Sequence, residues 1–141
     1  MVDASYEARI DALANRFFGA LEARDVDAAT AVYHPDIRVW HSRDEADTDI
    51  EQNREILRLF MGRVSDFRYD VIRRHVFNGG WVQEHVVHMT SLDGAKTRLP
   101  VCFIAHVDDD GRVTRIAEYL DSARSLLRDV VQHDAPAPAA G

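Results

Sequence analysis

The chain has 141 residues and a formal net charge of −7, with 46% hydrophobic and 29% charged residues. That length makes one domain, able to bury about two-thirds of the surface its unfolded chain exposes. The acidic balance argues against nucleic acid, which needs a basic stripe, and against an anionic membrane surface, and no apolar run approaches a membrane span.

Residues 4–23 read as an amphipathic helix, with Tyr6, Ile10, Leu13, Phe17 and Leu21 on one stripe and Asp3 or Ser5 as cap. Asp25 can cap a short second helix, Val26 to Tyr33, which His34-Pro35 stops. Ile37 to His41 is a short strand and Ser42 to Asp47 a polar, acidic loop. Thr48-Asp-Ile-Glu51 forms a capping box for a third helix that buries Ile50, Leu57, Phe60, Met61 and Val64. Arg68 to Phe77 is a strand, and Asn78-Gly79-Gly80 turns it into a meander. Ser122 can cap a last helix with Leu126, Leu127, Val130 and Val131. Residues 1–132 thus form a single domain, and 133–141, with Ala-Pro alternation, form a disordered tail. Helices first and antiparallel strands after is the α+β pattern: a curved sheet wrapped around the N-terminal helices, with a central pocket.

The meander runs from Trp81 to Asp121. Asp93-Gly94 signals a two-residue hairpin turn, and Asp110-Gly111 closes a second hairpin with a loop of two or four residues. This pairing sets His88 opposite Leu99, Val86 opposite Val101 and Glu84 opposite Phe103, and then Val101 opposite Glu118. One face carries Val86, Leu99, Val101, Phe103, Ala105, Ile116 and Leu120, with Glu84, His88 and Glu118 among them. The other carries Gln83, His85, Val87, Met89, Cys102, Ile104, His106, Ala117, Tyr119 and Asp121. A three-residue second loop would flip the last strand and exchange Glu118 for Tyr119 and Asp121.

This order, together with Tyr33-His-Pro-Asp-Ile-Arg-Val-Trp-His41, Leu99-Pro-Val101 and Asp110 to Asp121, resembles the nuclear transport factor 2 (NTF2)-like superfamily over roughly residues 5–131. Its relatives include SnoaL-like polyketide cyclases, ketosteroid isomerases and limonene-epoxide hydrolases. The resemblance implies the cone-shaped fold and the even second loop. It places His41 where ketosteroid isomerases hold the general-base carboxylate, and Glu118 where the epoxide hydrolases have a pocket carboxylate. Those hydrolases carry an Arg and an Asp, two residues apart, on the strand matching Glu84 and Val86. Neither is present here, which argues against their mechanism.

Histidine, with an ordinary pKa near about 6.5, exchanges protons at neutral pH without heavy tuning, so His41 is the candidate base. Glu118 or His88 is its complementary acid or hydrogen-bond donor, and Glu84 is a further catalytic candidate. Structural readings stand beside these. Glu84 would pair with Arg73 across a two-residue Asn78-Gly79 turn, or with Arg74 across a three-residue one. Tyr33, Trp40, Val86, Leu99, Val101, Phe103 and Leu120 are candidate substrate contacts. No tight histidine pair joins a carboxylate on one face, and there is no Gly-rich phosphate loop or serine elbow, so neither metal nor cofactor is expected. The lone Cys102 reads as a small buried hydrophobe that cannot form an internal disulfide. With no basic stretch leading into an apolar core at the N-terminus, a cytoplasmic protein is expected. The reading is a small cofactor-independent isomerase, dehydratase or cyclase acting on an apolar oxygenated molecule of polyketide, steroid or terpenoid type. The alternatives are a non-catalytic binding or dimerisation module, or an epoxide hydrolase with an altered site. A homodimer through the outer sheet face is expected.

Overall fold

Asp3 starts the first helix: its carboxylate accepts from the backbone N–H groups of Ser5 and Tyr6, which the first turn leaves without partners. In this computed structural model, which describes residues 2–121, helix α1 runs Ala4–Glu22 and buries Ile10, Leu13, Phe17, Phe18 and Leu21. The expected last helix from Ser122, the end of the domain and the tail lie outside the described residues. Asp25 caps α2, Val26–Thr30, by accepting from Ala28 N. The helix ends three residues before the expected Tyr33. Val113 N bonds Val32 O instead, drawing the chain into strand β1, Tyr33–His41.

The polar loop also holds a short strand, β2, Ala46–Thr48, that the sequence did not announce. The capping box of α3, Ile50–Met61, sits one residue later than expected. Asp49 accepts from Gln52 N, and Gln52 Oε1 accepts from Asp49 N, both at 2.9 Å. Val64, expected on that helix, begins β3, Val64–Phe77. Strands β4, Gly80–Ser91, β5, Lys96–Val107, and β6, Val113–Leu120, complete a curved, open sheet in the order β2-β1-β6-β5-β4-β3. All neighbours are antiparallel except β1 and β6, which run parallel. Phe17 and Phe18 of α1 pack on Phe103 of β5, so the helix fills the concave side.

Register is where the structure corrects the sequence reading. Trp81 faces Ala105, Gln83 faces Phe103, His85 faces Val101 and Val87 faces Leu99. The β4–β5 turn is one residue longer than the Asp93-Gly94 pair suggests. Ser91 N bonds Ala95 O across Leu92, Asp93 and Gly94, with Gly94 at φ +90° and Gly94 N bonded to Ser91 O. The Asp93 carboxylate accepts from Ala95 N and from the Ser91 hydroxyl, which secures the longer turn. One residue of slip turns every β4 side chain over. Gln83, His85, Val87 and Met89 therefore face inward and are buried. Glu84, Val86 and His88 face outward.

The β5–β6 connection deviates twice, and the deviations cancel. Five residues, 108–112, separate the paired Val107 and Val113, and a register shift follows between His106 and Val107. Phe103 pairs with Glu118 and Ala105 with Ile116, two residues from the expected register, so the inward face of β6 is the expected one. No described helix is long and apolar enough to cross a membrane.

Candidate active site

Alternation along β1 buries Ile37, Val39 and His41 and turns Trp40 outward onto the Tyr119 ring. The parallel ladder aligns His41 with Glu118, and Ser42 N bonds Glu118 O at 2.9 Å. The two side chains meet: His41 Nε2 lies 3.0 Å from Glu118 Oε2, with side-chain exposures of 8% and 21%. They sit in the wall of a partly open cavity of about 90 Å³. Leu57, Phe60, Leu99, Phe103, Ile116 and Leu120 supply much of its apolar surface, and Tyr33, Asn53 and Tyr69 add polar atoms.

Electrostatics give the pair a direction. Burial by itself raises the Glu118 pKa. The hydrogen bond from His41 and the electrostatic attraction of His41, His85 and Arg43 in the acid range where a carboxyl titrates more than offset it and hold the carboxyl below its ordinary range. Glu118 is then an anion at neutral pH and accepts from His41 Nε2–H. A ring whose Nε2 carries the proton keeps its lone pair on Nδ1. That is the arrangement of a base backed by a carboxylate. Tyr69 is pushed well above the ordinary phenol value by burial and then by the charge of Glu118, so it stays a donor.

Of the residues expected at the site, His41, Glu118, Tyr33, Leu99, Phe103 and Leu120 line this cavity. Val101 faces inward but packs in the core beside it. Four expectations fail. Glu84 is on the outer surface, its Oε2 2.6 Å from Arg73 Nε across the two-residue Asn78-Gly79 turn. His88, also outward, approaches Asp70 at 3.9 Å. Val86 is buried on that outer side, apart from the core cluster, and Trp40 packs at a tilt against Tyr119. The first three follow from the β4 slip, and Trp40 from the pleat of β1.

Sequence reasoning missed Asn53 and Tyr69, and put His85 on the wrong face. His85 is 1% exposed. Arg74 Nε donates to Gln83 Oε1 at 2.7 Å, which leaves Gln83 Nε2 as the donor to His85 Nδ1 at 2.9 Å. Arg74 in turn reaches Asn15 at 2.9 Å and Asp11 at 3.4 Å. Burial, aided by Arg74 and opposed by Glu118, lowers the His85 pKa to about 4. A three-residue reading of the Leu92-Asp93-Gly94 turn would have found it.

A family model described as a SnoaL-like domain matches residues 14–116. The chain belongs to the SnoaL-like domain family. No curated protein matches this SnoaL-like chain by sequence. Among solved structures it is similar to BvnE pinacolase from Penicillium brevicompactum, with TM-score 0.77, 14% identity, and coverage of 96% of this chain and 97% of that one. PrhC from Penicillium brasilianum NBRC 6234 aligns with TM-score 0.76 and 16% identity over 91% of each chain. An LEH-like epoxide hydrolase of M. tuberculosis aligns with TM-score 0.71 and 22% identity, over 92% of this chain and 98% of that one. These likenesses establish the NTF2-like fold, which hosts many chemistries, so activity must be argued from the site. The Arg and Asp that the epoxide hydrolases carry two residues apart are absent from both faces of β4: Gln83 and His85 point in, Glu84 and Val86 out.

Proposed function

We propose that this SnoaL-like protein is a cofactor-independent acid/base enzyme of isomerase, dehydratase or cyclase type, acting on an apolar molecule that bears oxygen. The observation that carries this reading is the 3.0 Å pair of His41 Nε2 and Glu118 Oε2 in the wall of an apolar cavity. His41 Nδ1 takes a proton from a carbon beside an electron-withdrawing oxygen function. The Glu118 carboxylate offsets the charge that develops on the ring. The Tyr69 hydroxyl donates to the oxygen as it becomes negative.

The cavity bounds the substrate. At about 90 Å³ it is smaller than the roughly 150 Å³ that takes up benzene in an engineered core cavity. Only the reacting end of a polyketide-, steroid- or terpenoid-sized molecule fits within it, and the rest of a larger one extends through its open side. The outer sheet face carries Trp40 packed at a tilt against a half-exposed Tyr119, with Ile104 close by on β5. We assign that face to a second copy of the chain.

The test is turnover. Thermal-shift hits from small ketones, aromatic polyketide intermediates and terpene epoxides are followed for conversion by wild type, His41→Ala and Glu118→Gln. A ligand at 100 times its dissociation constant adds about 2.7 kcal/mol, a readable shift. Conversion by wild type and by neither variant supports the enzyme. Binding without conversion, indifferent to both substitutions, makes this a binding module.

A further inference from the structure

The reaction above gives no part to two polar side chains in the cavity wall. Tyr33, on β1, and Asn53, on α3, are buried at 6% and 4% exposure and both line the cavity. The Tyr33 hydroxyl donates to Asn53 Oδ1 at 2.9 Å. Burial, and then the charge of Glu118, raise this phenol far above its ordinary range, so it keeps its proton and remains a donor. The bond fixes the amide: Oδ1 is engaged by Tyr33 and Nδ2 is turned away from it. No described residue accepts a bond from Nδ2. Tyr33 alone would require only an acceptor. An amide supplies that acceptor and leaves two N–H donors over in the cavity wall, where an entering acceptor can meet them.

We propose that Asn53 Nδ2 binds the substrate oxygen, that Tyr33 is the residue positioning it, and that this oxygen is a ketone or enone carbonyl. A carbonyl presents only acceptors to that N–H, and it is the oxygen on which proton abstraction at the neighbouring carbon places negative charge. This assignment rests on the proposed reaction and narrows it. A C–H bond beside the carbonyl breaks and its proton goes to His41 Nδ1. The electron pair forms the C=C bond of an enolate, whose charge sits on the oxygen held by Asn53. Return of the proton to a different carbon completes an isomerisation. Expulsion of a β-hydroxyl as water, protonated by the imidazolium, completes a dehydration.

The probe is cyclopentanone carrying ¹³C at the carbonyl, beside methylenecyclopentane, which has the same shape and no acceptor. Wild type is expected to bind the ketone more tightly than the hydrocarbon. Asn53→Leu and Asn53→Asp are expected to bind the ketone about tenfold more weakly, the effect of one lost hydrogen bond. The bound carbonyl signal should move upfield in Asn53→Leu, while affinity for the hydrocarbon stays the same. Tyr33→Phe should move the signal part of that way with the His41 ring signals unchanged. Asn53→Asp keeps the volume and the acceptor for Tyr33, so it carries the test should Asn53→Leu fail to fold. An unchanged carbonyl signal and affinity in the Asn53 variants would overturn the proposal, as would a wild type that does not prefer the ketone. Neither readout needs turnover. Ketone binding through Asn53 with no substrate converted sinks the reaction and leaves this site standing.

Discussion

His85 makes acid stability the most direct quantitative test of the site's architecture. In the unfolded chain its imidazole titrates at the ordinary 6.5, and in the folded protein at about 4. Between those values the unfolded state holds a proton that the folded state does not, so stability falls as pH falls. The contribution is intact above about pH 6.5 and fully lost near pH 4. The difference of 2.5 pKa units, at about 1.36 kcal/mol each, amounts to about 3 kcal/mol. With 1% exposure there is no solvent to screen it. The comparison is His85→Gln, whose amide can still accept from Gln83 but does not titrate. Losing the ring contacts with Phe18, Tyr69 and Phe103 costs roughly 1–2 kcal/mol at every pH. Urea unfolding of both proteins from pH 7 to pH 4, with equal slopes, gives the two stability curves. Wild type should lose about 3 kcal/mol more than the variant, so the curves converge and cross as pH falls. Parallel curves, or a His85 imidazole NMR signal in the folded protein with its midpoint near 6.5, would refute the buried neutral ring and with it the β4 register.

Four further variants test other parts of the structure. Glu118→Gln should cut turnover by about 10²–10⁴-fold with the fold retained, and a loss below threefold in steady-state assay would remove Glu118 from the mechanism. Because the Glu118 pKa is lowered in the folded state, its stabilising contribution is present above 4.5 and disappears as pH falls through the lower folded value. That decline should be missing from the acid unfolding curve of Glu118→Gln. Glu84→Ala removes an exposed ion pair with Arg73, so urea midpoints should place its cost below about 1 kcal/mol with turnover unchanged; lost activity would put Glu84 back inside. Gly80→Ala sets a Cβ 1.9 Å from Ala105 O, a backbone atom that cannot step aside. It should cost more than about 3 kcal/mol in urea unfolding. The proposed pairing of two copies through the outer sheet face predicts that wild type sediments as a dimer and Tyr119→Arg as a monomer with the cavity unaffected; equal sedimentation coefficients would refute it.

What could be read from the sequence follows the range of the signals involved. Helices declare themselves through local periodicity and caps: the α1 stripe and the Asp3 and Asp25 caps depend on neighbours within four residues. The end of α2 does not, because Val32 is claimed by Val113, some eighty positions away and on a parallel strand. Asn53 was invisible for a related reason. A polar residue on a helix whose apolar positions are three and four apart reads as solvent-facing, and only the approach of Tyr33 from another element gives it a buried partner. His41 and Glu118 were legible one at a time, through strand end and alternation. Their meeting depends on a parallel β1–β6 pairing that no local pattern encodes.

The two hairpins show why face assignments succeed or fail together. Side chains alternate with period two, so only the parity of a turn matters to which face a residue takes. Between β4 and β5 the turn gained one residue, nothing compensated, and all of Gln83 to Met89 exchanged faces. Glu84 and His88, expected in the pocket, went out, and His85 went in. Between β5 and β6 the loop was also odd, but the register shift at Val107 absorbed one residue and restored parity. Glu118 thus faces His41 because two irregularities offset one another. Deleting one residue from 108–112 without altering that shift should turn Glu118 outward and leave His41 without its carboxylate. The variant would keep its sheet and lose conversion, and a deletion that preserved turnover would show that the bulge, rather than the loop, sets the face of β6.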